Sequence, residues 1–183
     1  MLSLRVFLAV IALSVVGFGC GRLRPSPPAP PPLGAFEVIG SYVLPEAPIG
    51  PAGDVIAELS GAWYDAESGK VFIVSDRQDR SGIFTMRVDV TPDVRLVPES
   101  FTPVQAPLAG RTLDLEGIGP AADGRLFLSS EGEDVNPERS ASGIYEYTRA
   151  GQFVRKLLVP PAYSGVRANA GFEGLSVSPD GQQ

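Results

Sequence analysis

Two glutamates stand at matching places in the chain. Glu116 lies in DLEGI (114–118) and Glu173 in NAGFEGL (169–175), and each is followed at once by a glycine. Asp76 and Glu131 form a second matched pair, closing the apolar runs KVFIVSD and RLFLSSE. Carboxylates that converge without basic partners repel one another, and a hard divalent cation relieves that cost. Ca²⁺ prefers such oxygen ligands. One reading of Glu116 and Glu173 is therefore a catalytic or metal-holding pair. The other is structural, each carboxylate accepting hydrogen bonds from the backbone of a neighbouring repeat.

The polar runs SDRQDR (75–80) and SEGEDVNPER (130–139) follow the second pair. Glu131, Glu133, Asp134, Asn136 and Glu138 offer oxygen to a cation, but the spacing is not that of an EF-hand. A loop beginning at Asp134 has Arg139 at its sixth position and Tyr145 at its twelfth, where glycine and glutamate are needed. Arg77 and Arg80 have the forked donors that match a phosphate or carboxylate, and they are equally able to pair with Asp76 and Asp79. The stretch GIGPAA (117–122) fits a nucleotide-binding glycine pattern, yet a turn and a strand follow it rather than a helix. The chain has no histidine, which excludes a Ser-His triad or a His-ligated metal built from these residues.

The elements that must position these residues repeat along the chain. LSGAWYDAESGKVFIVSDR (59–77), LEGIGPAADGRLFLSSEG (115–132) and FEGLSVSPDGQQ (172–183) align, with Gly61, Gly117 and Gly174 in register. SGIFTMRVDV from Ser81 is echoed by SGIYEYTRAG from Ser142. Each unit reads as a short strand, a tight turn, a stronger strand, a loop and two further strands. The turns AESG, AADG and SPDG carry the Ser-Gly or Asp-Gly chemistry of hairpins. The second strands are apolar on both faces, so each must be covered on both sides. A repeated four-stranded unit of this kind predicts an all-β fold, a partial β-propeller of about two blades plus the start of a third. Trp63 and Phe172, flanking the first strands, are expected in the packing between blades. Since a propeller closes with about four to eight blades, the chain reads as a fragment of a longer open reading frame.

Before the repeats comes a targeting segment. Arg5 precedes the apolar run VFLAVIALSVVGF (6–18), which suits a signal peptide over residues 1–19. Cys20, the single cysteine, follows Gly19 and is the expected lipidation point. Residues 20–34 hold that cysteine and the run RPSPPAPPP, an extended tether. The partial propeller domain then occupies residues 35–183. The expected location is the cell envelope, periplasm or outer membrane, through a lipid anchor, or secretion. The formal net charge is −6, and no basic block of five or six residues occurs, so nucleic acid is not an expected partner.

The three repeat segments, in their order and spacing, resemble the phytase-like family, described as esterase-like activity of phytase. The resemblance covers about residues 55–183. It implies a β-propeller and an exported hydrolase acting on a small-molecule ester or phosphate ester. The sequence is similar, more distantly, to the calcium-dependent β-propeller phytases, in which clustered acids hold Ca²⁺ that binds phosphate and activates water. On that likeness Glu116, Glu131 and Glu173 are the expected metal ligands, with Ca²⁺ as cofactor. The first repeat departs from the pattern, with Ser60 where the others carry glutamate. The competing expectation is a non-catalytic, surface-tethered binding module whose acids are structural.

Overall fold

The computed structural model describes residues 39–45, 50–77, 80–107, 112–132, 142–163 and 171–178. The signal segment, Cys20, the proline-rich tether, the acids at 133, 134 and 138 with Asn136, and the third turn SPDG from Pro179 onward lie outside the described residues. Those described form strands β1 (Leu59–Asp65), β2 (Lys70–Ser75), β3 (Gly82–Asp89), β4 (Arg95–Pro103), β5 (Leu115–Pro120), β6 (Leu126–Ser130), β7 (Gly143–Tyr147) and β8 (Phe153–Lys156). Two short 3-10 turns, Ala122–Gly124 and Pro161–Tyr163, complete them.

The strands make two antiparallel sheets, β1-β2-β3-β4 and β5-β6-β7-β8, each a meander in chain order. This is the expected blade-like repeat, and the fold is all-β and consistent with a partial β-propeller. The turn residues act as their types require. In the first hairpin Gly69 takes a φ of 67° and its N–H donates to the Asp65 carbonyl at 2.9 Å. In the second, Asp123 and Gly124 both take positive φ, 61° and 71°, a conformation glycine and aspartate tolerate best.

Side-chain alternation along β2 supplies two cores. Val74 joins Ile83 of the first sheet and Leu113, Leu115, Ile118, Leu126, Leu128, Tyr145 and Tyr147 of the second unit in one buried cluster. Val71 and Ile73 point the other way, into a cluster with Ile56, Phe84 and Met86. Both faces of β2 are thus covered, as its apolar sequence demands. Trp63 packs against the shared core and stacks on Phe72 with centroids 5.1 Å apart, which places it between the sheets as expected. Phe172 meets Tyr163 at 6.5 Å.

The repeated glycines mark where one unit steps onto the next. A Cβ on Gly61 would stand 2.4 Å from the Glu116 carbonyl oxygen and 2.7 Å from the Gly117 Cα. A Cβ on Gly117 would stand 2.7 Å from the Leu175 nitrogen. β1, β5 and the segment 171–178 therefore approach backbone to backbone, a spacing that only a missing side chain permits. This close approach is what brings carboxylates of successive units together.

Candidate metal centre

Glu116 owes its position to an irregularity in β5. Leu115 pairs with Ser130, but Gly117 pairs with Ser129, so one extra residue, Glu116, is accommodated there. The first sheet shifts register at the equivalent place, between Leu59 and Ala62. An extra residue turns its side chain away from the regular alternation, a device found beside functional sites. Leu115 stays in the core, while Glu116 is half-buried and turned to β1. There the Ser60 hydroxyl donates to its carboxylate and, at 3.4 Å, to its backbone carbonyl.

Asp76 leaves the end of β2, and Asp114 precedes β5. One carboxylate oxygen each from Asp76, Asp114 and Glu116 fall within 4.8 Å of one another. Asp114 is only 8% exposed, and Oδ1 of Asp76 is fully covered. The backbone sets both ends of the group. The Asp76 N–H donates to the Glu58 carbonyl at 3.1 Å, and the Glu131 N–H donates to the Asp114 carbonyl at 3.0 Å. Glu58 and Asp114 are thus equivalent residues of successive units, and so are Asp76 and Glu131. The Ser130 hydroxyl accepts the Asp114 N–H at 3.2 Å.

Burial pushes the Glu116 carboxyl above its ordinary range. The Ser60 hydrogen bond pulls it back in part. The charges of Asp114, Asp76 and Glu131 push it up again. The charges that shift Glu116 are therefore carboxylates, and oxygen is the common donor. That set fits a hard divalent cation such as Ca²⁺, which takes carboxylate oxygens in flexible number, better than it fits a softer metal.

The sequence candidates divide accordingly. Glu116 is central to the group, and Glu131 is near enough to act on it electrically. Glu173 is exposed and stands outside the three-carboxylate group. Asp76, noted in the sequence as the end of a second strand, is drawn in from the neighbouring unit. Asp114 joins the group without standing among the sequence candidates. Its signal is the acid two residues before the first-strand polar position, present as Glu58 before Ser60 and as Asp114 before Glu116. In the third segment that place is held by Gly171, which packs against the Glu131 carbonyl, 2.2 Å from where a Cβ would stand.

Two successive four-stranded meanders, joined through one core and carrying a carboxylate group at their junction, define a blade-repeat protein with an acidic site. A family model, phytase-like, described as esterase-like activity of phytase, matches residues 55–183, and the chain belongs to that family. No curated protein and no solved structure matches the chain.

Proposed function

We propose that this protein hydrolyses a small-molecule ester or phosphate ester in a Ca²⁺-dependent manner, at the junction of the two sheets. The observation that carries the reading is the gathering of Asp76, Asp114 and Glu116 from two units into one oxygen-rich group. Family membership supports an esterase-like reaction. Asp76, Asp114 and Glu116 would hold the cation, with Glu131 adding negative charge. When bound, the cation supplies Lewis acidity towards the ester or phosphoryl oxygen and lowers the pKa of water.

The residues of the chain have their own tasks. Asp114, nearly buried and with its backbone N–H held by the Ser130 hydroxyl, supplies one carboxylate from an anchored stretch of backbone. Ser60 holds the Glu116 carboxylate towards the junction and favours its charged form. The acidic protein, with a net charge of −6, repels an anionic substrate, so a cation at this site bridges like charges. Hydrolysis of p-nitrophenyl acetate and p-nitrophenyl phosphate, with calcium and with chelator, tests the reading. Turnover of either ester that chelator abolishes and Asp76→Asn lowers at least about a hundredfold supports it. Turnover indifferent to both contradicts it.

We also infer export and a membrane anchor through Cys20, from the apolar run 6–18 and the lone cysteine. Incorporation of labelled palmitate that is lost in Cys20→Ser tests that placement.

A further inference from the structure

The first sheet has an end that lies away from the acids. β3 begins at Gly82, paired with Ser75 beside Asp76, and finishes at Asp89. At about 3.3 Å per residue, the two ends of β3 stand about 20 Å apart. Past Asp89 the chain turns through residues 90–94 and returns as β4, with Arg95 opposite Asp89. Segment 39–45 lies against this turn. Leu44 packs on the cluster that Val88 and Leu96 also join, and those two face each other across β3 and β4 just before the turn. The Gly40 backbone meets the Val94 side chain so closely that a Cβ there would collide. Along the segment Tyr42 and Leu44 are half-buried, while Ser41 and Val43 are exposed.

This packing leaves three aliphatic side chains in water at one end of the sheet. Ile39 is 74% exposed, Val43 64% and Val90 56%. Single exposed apolar side chains are ordinary, but a gathering of them marks a contact surface. The charges beside them in sequence are matched in sign. Arg87 bonds Asp89, and Arg95 stands 4.0 Å from Asp93. The contact suited to this end is therefore apolar and not electrostatic. It is also the end at which the chain coming from Cys20 and the proline-rich run enters the described fold, at Ile39.

We propose that this end of the first sheet is a lipid-contact surface, with Ile39, Val43 and Val90 set into the headgroup boundary of the bilayer that holds Cys20. The proposal rests on the anchor inferred above. Three aliphatic side chains bury too little area to keep a free protein on a bilayer. On a chain already tethered there, they add a second and weaker signal and fix the orientation. The far end of the sheet then points away from the lipid. Asp76, Asp114 and Glu116 face the aqueous side, open to a substrate arriving from solution.

The chain has a single thiol, so Cys20 of the full chain can be coupled to phosphatidylcholine vesicles bearing a maleimide lipid. That tether exists whether or not the cell lipidates Cys20, so failure here and failure of the palmitate test are distinct. Hydrogen exchange in EDTA is compared with the same chain coupled to a water-soluble maleimide. Amides of residues 39–45 and 90–94 should exchange at least about threefold more slowly on the vesicles, and those of 114–117 at an unchanged rate. Val43→Asp combined with Val90→Asp places charges at two exposed positions without burying either, and should cancel the slowing. Equal exchange of both segments in the two states, slowing centred on 114–117, or slowing that survives the double variant overturns the proposal.

Discussion

At the scale of single residues, the account turns on Glu116 and the groups that set its charge. The Ser60 hydrogen bond favours the ionised carboxylate, which is the form a cation needs. Ser60→Ala should therefore weaken calcium binding about three- to tenfold, on the order of 1 kcal/mol for one charge-assisted bond at a half-buried site. Calorimetry at fixed pH reads it. The raised Glu116 pKa also makes stability depend on pH when calcium is chelated. Folded Glu116 holds its proton more tightly than the unfolded chain, whose value is near 4.5. Stability is then fullest below that value and falls as pH rises through the raised folded value. Glu116→Gln has no proton to release there, so thermal melts in EDTA from about pH 4 to 7 should show a smaller fall than the parent. Glu116 and Asp76 were legible in the sequence as matched acids. Ser60 was legible only as a departure from the repeat, because a hydroxyl that reaches into the next unit leaves no local pattern. Asp114 was hidden because an acid before a strand is common on solvated loops, and only the packing of the units shows this one nearly buried.

At the scale of elements, the strands follow from alternation and turn chemistry. β2 and β6 were readable because adjacent residues such as Ile73 and Val74, or Phe127 and Leu128, leave no polar face. The extra residue at Glu116 was not readable, since a one-residue register shift depends on the partner strand and not on the strand that contains it. The glycine repeat was visible as Gly61, Gly117 and Gly174, but its cause is tertiary. The backbone of the next unit occupies the space where a Cβ would stand. Gly61→Ala should thus cost about 1–3 kcal/mol, because the neighbour to be displaced is backbone and cannot swing aside. Gly174→Ala, at the equivalent place with no described atom within 4 Å, should change stability by less than about 0.5 kcal/mol. Urea titration of the two variants separates this account from one in which all three glycines serve only local backbone freedom, which predicts similar losses.

At the scale of the whole molecule, the two sheets are one packing unit and not two beads on a string. Val74 and Ile83 enter the core that Leu113, Leu115 and Leu128 build. Arg149, from the turn after β7, lies over the Trp63 and Phe72 rings at 5.5 and 5.3 Å and donates to the Gly124 carbonyl at 2.9 Å. Leu128→Ala should cost about 2–5 kcal/mol. It should shift the melting of Trp63 fluorescence and of β-sheet circular dichroism together, since Trp63 reports the first sheet and Leu128 belongs to the second. The aligned repeats and the chain's resemblance to the phytase-like family are enough to predict this architecture. They did not convey which acids would meet, because that depends on how far one sheet twists onto the next. The most direct measurement of the central claim is therefore a calcium titration of the full chain by calorimetry, beside Asp76→Asn and Glu116→Gln. Asp76 lies on one sheet and Glu116 on the other. The account predicts saturable binding in the parent and a loss of at least about tenfold in each variant, as expected when a carboxylate ligand is removed. No binding in the parent, or full affinity in both variants, would contradict a metal centre shared between the sheets.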